Sequence, residues 1–526
     1  MLIPRHLSRL LAAFIPAAAG LSLAAPLLDA QRACPALAPP SPLEWLPGGI
    51  EWSRGGEWSD SGVTPSNASC APRRAALIGL SLRARATGGA PDPRGIGTAA
   101  PGIGQFVHLR AGVEGAVGPL QFRLAPELSY QQNAAYQLLG QADAARDAFS
   151  SSFYAGGFSA DLPSRFGQGS VARLRPGESS LQWLGRAGAL GVTTARPRWG
   201  PTVGEGLVLG ASAPGVPRVE ALVARRTRSG VYRLRWFAGA VRESRYFDGD
   251  AGNDRRGLSG ARAEFSRRGE LVLDAGLSRT VMDGRRRATL PSAAVLPFVS
   301  TRSDSIIEIV GADLVARHAK AGSTAWLEVV RQTPFEGVGA FLRMPTEGIA
   351  FRTGLSQRLA VQRSATWFAT VEFMRLDQSA QRSDRVPNDL YTSAAVAHGW
   401  THEGQPLGSG LGPGGQRQLA RLERIGSVWR TAAFLERARW NDDALYREAQ
   451  PYLDRHDVTL QLGFAAARAV RGMLVTASLQ TGGRYNYLFQ GASSSPNNRP
   501  TDLSLWSVGL SFAPLAQSRV ASIVAR

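Results

Sequence analysis

The chain has one lysine, Lys320, and two cysteines, Cys34 and Cys70, in 526 residues. Two cysteines are too few for a zinc site built on cysteine ligands, so we predict no such site. In an oxidising compartment this pair predicts one structural disulfide that pins the N-terminal segment. The scarcity of lysine matches a genome that encodes basic residues as arginine, and it indicates no function by itself.

Long apolar runs are also missing after Ala30, so the sequence predicts no membrane-spanning helix there. The one long apolar stretch, Leu10 to Leu28, follows Arg5 and Arg9 and ends near small residues. That is the pattern of a secretory signal peptide, which we place at residues 1–30. Yet 44% of the chain is hydrophobic, much of it in short alternating segments, and the two facts together suit a β-barrel.

Motifs of common enzymes are absent as well. The chain has no G-x-S-x-G elbow, no phosphate-binding loop with its lysine and no HExxH pattern. His398 and His402 are four residues apart, but the neighbouring Gly399 and Gly404 indicate a loop and not a metal-binding helix. The acidic run 248–254 has its glycine misplaced for a calcium loop and is typical of a turn. We predict a non-enzymatic protein with no cofactor and no metal.

The charge is strongly positive, with 60 Lys and Arg against 41 Asp and Glu and a formal net charge of +19. Such an excess predicts an acidic partner, which means nucleic acid, lipid phosphate or an anionic polysaccharide. Export makes nucleic acid a poor candidate. The remaining partners are an acidic surface polysaccharide and outer-membrane lipid, and nothing in the sequence requires more than a monomer.

From about residue 76 the chain consists of runs of roughly ten residues separated by Gly, Asp, Asn and Pro. In one run Tyr232, Leu234 and Trp236 alternate with Arg233 and Arg235, and a period of two indicates a β-strand. The same alternation occurs in the runs 364–375, 457–468 and 504–512. We therefore predict an all-β fold, a transmembrane antiparallel β-barrel of about 18 strands.

The predicted barrel occupies residues 76–512. An irregular periplasmic segment, 31–75, precedes it, and an extension, 513–526, follows it. The stretch at about 132–149 is rich in Ala, Gln and Leu, and it predicts a small helical plug or periplasmic helical element. Turn-forming residues predict loops at the barrel rim, and these loops lie around 282–304, 377–388, 401–415 and 490–501.

Two constellations combine tight-turn glycines with Arg, Trp and His. The first is DLPSRFG (161–167), followed by Arg198-Trp199-Gly200-Pro201, and the second is HGWTHEGQPLG (398–408), followed by LGPGG (411–415). Aromatic faces stack on sugar rings, and arginine pairs with carboxylates or phosphates. The alternative is that the tryptophans belong to an interfacial aromatic belt and the glycines to barrel turns.

These motifs, in this order, resemble the Wzi capsule-assembly family of outer-membrane barrels. The resemblance covers roughly residues 75–512, although the family often has a double tryptophan where this chain has Arg198-Trp199. It implies an eighteen-stranded barrel with a periplasmic helical part. It also implies a lectin-like, non-enzymatic role in organising capsular or exopolysaccharide at the cell surface.

Seven residues are the candidate polysaccharide contacts: Arg165, Arg198, Trp199, His398, Trp400, His402 and Glu403. The alternative for them is a scaffolding role in the lumen, where they would hold a plug. Two rival functions stay open. One is a porin-like, anion-selective channel, and the other is a barrel hydrolase that uses His402 with Glu403.

Overall fold

The structure is a computed structural model that describes most of residues 76–514. It does not cover 1–75, 515–526, residues 93, 95–96 and 98–99, nor the internal positions 140–145, 155–157, 186–187, 198, 202–204, 249, 251–253, 268, 285–304, 319, 333–341, 343–347, 363–364, 378–389, 427, 449–454, 472 and 490–501. The predicted signal peptide, the 31–75 segment and the predicted Cys34–Cys70 disulfide lie outside the described residues, so they stay predictions.

Nearly all of the regular structure is β-strand. The strands are β1 (Ala76–Gly88), β2 (Gly104–Val117), β3 (Leu120–Leu124), β4 (Glu127–Gln131), β5 (Val171–Arg175), β6 (Ser180–Leu184), β7 (Gly188–Thr193), β8 (Arg218–Arg226), β9 (Val231–Arg242), β10 (Arg255–Arg267), β11 (Leu271–Asp283), β12 (Ile306–His318), β13 (Ser323–Gln332), β14 (Ile349–Gln362), β15 (Ala365–Arg375), β16 (Thr401–His402), β17 (Gln405–Pro406), β18 (Gln416–Gly426), β19 (Trp429–Trp440), β20 (Asp457–Val470), β21 (Met473–Tyr485) and β22 (Leu503–Pro514). The described helical elements are α1 (Asp442–Glu448) and a 3-10 turn (Tyr487–Phe489). No helix in the described part of the chain has the length and hydropathy needed to cross a bilayer.

The strands form one closed antiparallel barrel, because β1 pairs with β22 from Leu82↔Phe512 to Gly88↔Trp506. Strands β3 and β4 both pair with β2, and they are one wall strand interrupted at Pro126, which has no N–H for the ladder. Strands β5 and β6 are likewise one interrupted wall strand, since they pair with β4 and β3. Counting each interrupted strand once gives eighteen wall strands among the described residues, which confirms the predicted architecture. The hairpin β16–β17 is separate from the wall.

The two faces of the wall differ as the alternation predicts. Outward-facing Leu234, Leu462 and Phe464 are 48%, 57% and 49% exposed, whereas inward-facing Arg235 and Glu372 are buried. Leaving so many large apolar side chains in water would cost on the order of 1.5–3 kcal/mol each. A lipid bilayer removes that cost, so the outward surface is a membrane-facing one.

The two ends of the barrel differ in the length of their connections. At one end successive strands are joined by four residues or fewer, as at 118–119 and 227–230. At the other end the connections have twelve residues or more, and the longest are 132–170 and 376–415. In outer-membrane barrels short turns are periplasmic and long loops are extracellular, so the long-connection end is the extracellular end.

The described parts of three long connections, 132–170, 194–217 and 376–415, fold against one another in the barrel as a plug, and the last two supply the apolar core of the plug. Plug residues pack against wall residues from β9 to β15 and from β19. The plug contributes Trp199, Leu207, Val208, Leu209, Tyr391, Trp400, Leu407 and Leu411, and the wall contributes Phe237, Leu258, Met282, Ile309, Val330, Ala350, Met374 and Trp440. The segment 401–415, predicted as a rim loop, is therefore buried inside the barrel. Its backbone groups find partners there, since Gly210 N–H donates to Leu407 O at 2.7 Å.

The predicted helical insertion at about 132–149 is not present in its described part, 132–139 and 146–149. Tertiary contacts replace helical hydrogen bonds there. The Asn133 side-chain amide donates to the carbonyls of Phe166, Gly167 and Gly169, and Asn133 itself has a left-handed φ of 52°. The one described α-helix, α1, lies in the extracellular β19–β20 connection and not on the periplasmic side. Helical propensity over so short a stretch is too weak to resist these contacts.

Candidate functional site

Two of the predicted site residues, Trp199 and Trp400, lie in the core between plug and wall. Trp199 packs edge-to-face on Phe237 with ring centroids 5.3 Å apart. Trp400 is completely buried, and its Nε1–H donates to Val208 O at 2.9 Å. Neither side chain reaches solvent, so both hold the plug in the barrel.

Arg165 and His398 are also buried parts of the plug. The Arg165 guanidinium donates to Asn133 O at 2.7 Å and to Gln168 O at 2.9 Å, which ties two plug segments together. Burial, and then the positive charge of Arg256, lower the pKa of His398 to about 3, so this imidazole is neutral. Arg198 lies outside the described residues. The burial of these side chains favours the scaffolding alternative for them.

His402 and Glu403 lie elsewhere, at a gap in the barrel wall that we call the lateral window. Strand β5 pairs with β4, but its other edge has no partner strand in the described part of the chain. The reason is that β7 ends at Thr193, after which the chain enters the lumen. Across the gap, β8 pairs with β9 only as far as Arg218↔Gly239, so β9 continues alone on that side to Arg242.

The tip of the β16–β17 hairpin takes the place of the missing strand. Ala240 N–H donates to Pro217 O, and the backbone of Arg242, two residues on, faces the same side of β9. There Arg242 N–H donates to His402 Nδ1 at 3.0 Å, and Glu403 N–H donates to Arg242 O at 2.6 Å. Burial, opposed by the Glu403 carboxylate, lowers the pKa of His402 to about 4, which keeps Nδ1 free to accept.

The hairpin turn places a charged residue where a neutral one is usual. Glu403 and Gly404 have φ values of 52° and 77°, as a two-residue type I′ turn requires, and Asn-Gly is the favoured pair there. Glu403 is not the favoured residue for this turn, but its carboxylate connects the two sides of the window. It forms ion pairs with Arg175 at the end of β5 and, at 2.8 Å, with Arg242 at the end of β9.

The charge state of Glu403 gives the window a pH dependence. Desolvation alone would raise its pKa, but Arg175, with His402 and Arg242, lowers the pKa to about 2 from an ordinary 4.5. A lowered carboxylate pKa stabilises the fold fully above pH 4.5, and this contribution is lost as the pH falls from 4.5 towards 2. After allowance for solvent screening we expect it to be about 1–2 kcal/mol.

Glu403→Gln tests this dependence. We expect the variant to be less stable than the native protein at pH 6, and we expect this difference to fall to less than half its size at pH 3. The measurement is the temperature at which the folded barrel converts to the unfolded gel mobility, in one detergent at both pH values. Other carboxylates titrate in both proteins and cancel in the difference. A difference of equal size at the two pH values would contradict the assignment.

A second candidate site is an aromatic cleft at the extracellular end, with a volume of ≈140 Å³. We define this mouth cleft by Tyr136, Phe153, Tyr154, Trp440 and Tyr487. Tyr136 and Phe153 are half-buried and leave part of their rings accessible, whereas the other three are buried. Half-exposed aromatic rings beside polar groups are the usual elements of a sugar-binding surface.

Arginine also borders the mouth cleft. The Arg484 guanidinium lies over the rings of Trp440 and Tyr487, at 5.1 and 4.8 Å, and forms a bidentate ion pair with Asp457 at 2.7 and 2.8 Å. Sequence reasoning missed this cleft, because its aromatics come from two distant connections, 132–170 and 486–502, and from the end of β19. The one local signal was the Tyr, Phe and Tyr content of 136–154, in a stretch that was read partly as helix.

Arginines in the lumen are largely paired with acids. Arg417, completely buried, contacts Glu205 of the plug and Glu372 of β15, and Arg94 donates to Glu436 at 2.6 Å. Paired lumen charges of this kind reduce the field that the net charge of +19 would otherwise create. They also connect the plug to the wall.

The closed eighteen-stranded wall, its apolar outer face and its unequal ends define a bacterial outer-membrane β-barrel. No protein-family model matches the chain, and no curated protein matches it either. Among solved structures it is similar to Wzi, an outer-membrane protein involved in group 1 capsule assembly in Escherichia coli and a carbohydrate-binding β-barrel. That match has a TM-score of 0.55 and 14% identity, and it covers 82% of this chain and 84% of that one.

Weaker matches are outer-membrane proteins of Pseudomonas aeruginosa. OpdK has a TM-score of 0.38 and 10% identity over 84% of this chain and 98% of that one. OccK8 has a TM-score of 0.40 and 8% identity over 84% of this chain and 98% of that one. The two weaker matches carry no argument, and the Wzi match, at its low identity, supports a Wzi-like barrel fold alone.

Proposed function

We propose that this outer-membrane barrel binds an acidic polysaccharide at the cell surface and helps to organise a capsule or exopolysaccharide layer. The observation that carries the proposal is the filled lumen. Plug residues pack against β9 to β15 and β19, and the mouth cleft lies at the extracellular end of this packed interior. A barrel filled in this way is suited to holding a ligand at its mouth.

The positive net charge of the protein supports an acidic ligand. The excess of arginine over acids attracts anionic polymers to the barrel, and Arg484 lies beside the aromatic rings of the mouth cleft. The Wzi barrel, which this fold resembles, is a carbohydrate-binding protein. These points together favour a polymer with uronic carboxylates or phosphates.

The proposal includes no catalytic step. The hydrolase hypothesis rested on His402 with Glu403, and both have structural partners. His402 Nδ1 accepts a hydrogen bond from the Arg242 backbone N–H, and the Glu403 carboxylate forms ion pairs with Arg175 and Arg242. Hydrolysis of purified surface glycan that Glu403→Gln abolishes would contradict a purely binding role.

Phe153→Ala is the variant that tests the mouth cleft. Losing a half-exposed stacking ring is expected to weaken polysaccharide binding by roughly three- to tenfold, since aromatic contacts contribute about 0.5–1.5 kcal/mol beyond buried area. The measurement is co-sedimentation of the purified barrel, in proteoliposomes, with the surface polysaccharide of the producing strain. Phe153→Trp should retain binding, and carboxyl-reduced polymer should bind less well to the native protein.

Phe265→Ala is the matched control, because Phe265 lies on the outward face of β10 against Tyr232, at 4.9 Å between ring centroids. This control should bind polymer as the native protein does. Equal binding by Phe153→Ala and Phe265→Ala would reject the mouth cleft as the polysaccharide site.

A further inference from the structure

The lateral window has two outward-facing arginines at its edge. Arg242 and Arg255 are direct cross-strand partners on β9 and β10, and Arg242 shares the outward face of β9 with Tyr232 and Leu234. The Arg242 side chain is 54% exposed. Arg255 is exposed, and it forms no hydrogen bond or ion pair with the described residues. Like charges directly opposite each other are destabilising, so an anionic group between them would be favourable.

The arginine pair lies where the membrane-facing surface ends. The outward residues of β9 are apolar from Tyr232 up to Ala240, and Arg242 is the next residue on that face. The extracellular β9–β10 connection begins directly after it. At the extracellular end of an outer-membrane barrel, this is the level of the polar headgroups of the outer leaflet.

Behind the arginine pair the window opens into a cleft of ≈370 Å³, large enough for a sugar unit. Arg175 and Arg196 line it from inside. Arg196 is paired with Glu178 at 2.7 Å, whereas Arg175 depends on Glu403, the same carboxylate that pairs with Arg242. The Glu403 carboxylate therefore pairs with two arginines at once. An entering anion can pair with Arg242 while Glu403 stays paired with Arg175.

We propose that the lateral window binds the anionic headgroup of an outer-leaflet glycolipid, with Arg242 and Arg255 as its outer contacts and the cleft as the place of the adjoining sugar. Guanidinium groups bind phosphate and carboxylate oxygens bidentately, which suits this geometry. The glycolipid would reach the window from the membrane side, independently of the mouth cleft.

The test is a titration of the purified full-length barrel, in neutral detergent, with a diphosphorylated glucosamine-based glycolipid, followed by native mass spectrometry. The double variant Arg242→Gln/Arg255→Gln should weaken binding about tenfold or more. The control Arg225→Gln/Arg267→Gln removes the same charge from the short-turn ends of β8 and β10 and should bind as the native barrel does. Equal weakening by the two double variants, or none by either, would overturn the proposal.

Glu403→Asn gives a second, independent readout. Asn-Gly is the preferred type I′ pair, so the hairpin turn is retained while both arginines lose their carboxylate. We expect glycolipid binding to become several-fold tighter, because Arg175 and Arg242 are then unpaired. Weaker binding by Glu403→Asn would overturn the proposal. So would complete displacement of the glycolipid by excess inorganic phosphate, which would assign the window to a free anion.

Discussion

Trp400→Ala is expected to lower the free energy of unfolding by about 3–5 kcal/mol and to turn an occluded barrel into a conducting one. Trp400 is completely buried at the centre of the plug core. Its removal leaves a cavity and deprives Val208 O of the indole N–H that donates to it. Because Val208 lies in the plug segment that packs on the wall, the loss should loosen the plug as a whole.

The measurement is single-channel conductance in planar bilayers, together with the urea midpoint of unfolding in micelles. The native barrel should show little conductance, and Trp400→Ala should show frequent opening steps. Trp183→Ala is the control, since Trp183 is 57% exposed on the outward face of β6. A native barrel with large, steady, anion-selective conductance would favour the rival function of a channel, and unchanged conductance in Trp400→Ala would contradict the plug assignment.

Arg417→Met is expected to cost a similar 3–5 kcal/mol, because removing one partner of a buried ion pair leaves uncompensated charge. Arg417 contacts Glu205 of the plug and Glu372 of β15, and Arg352 donates to Glu372 at 2.9 Å and to Glu205 O at 2.6 Å. Without Arg417, the plug carboxylate of Glu205 loses its charged partner. The plug should therefore become detached from β18 as well as destabilised.

The matched control is Arg424→Met on the same strand, since position 424 lies on the outward face with Leu422 and should change stability by less than about 0.5 kcal/mol. The double variant Arg417→Met/Glu205→Gln should recover part of the loss, because Glu205 is the carboxylate that loses its charged partner, whereas Glu372 keeps Arg352. Urea midpoints of the four proteins give the result. A loss in Arg417→Met no larger than in Arg424→Met would show that the buried network does not hold the plug.

The barrel could be predicted from the sequence because alternation is local. Tyr232 and Leu234 face outward and Arg235 faces inward as the period of two requires, and the same holds for Trp506 and Ser507 in the closing strand. The number of strands follows from the number of such runs. Neither the face on which a side chain lies nor the number of strands depends on which loops contact each other.

The candidate site was less accessible to sequence reasoning. The motif residues Trp199 and Trp400 were proposed as sugar contacts, and the structure buries both in the plug core. Trp400 reaches its partner Val208 across 192 residues of chain. A motif does not show that a residue is buried by a partner so distant in sequence, since glycine, arginine and tryptophan suit a ligand site and a packed plug equally.

The apolar segment after Arg5 and Arg9, the missing apolar helices and the alternating runs were enough to predict an exported barrel, and one lysine among 60 basic residues makes that barrel rich in arginine. Only the tertiary structure decided that parts of three long connections pack into the lumen, that β7 stops short at Thr193 and leaves a window, and that Glu403 bridges it. The physical reason is that face and strand are properties of neighbouring residues. A plug, a gap and its closure are long-range contacts that exist only once the barrel has closed.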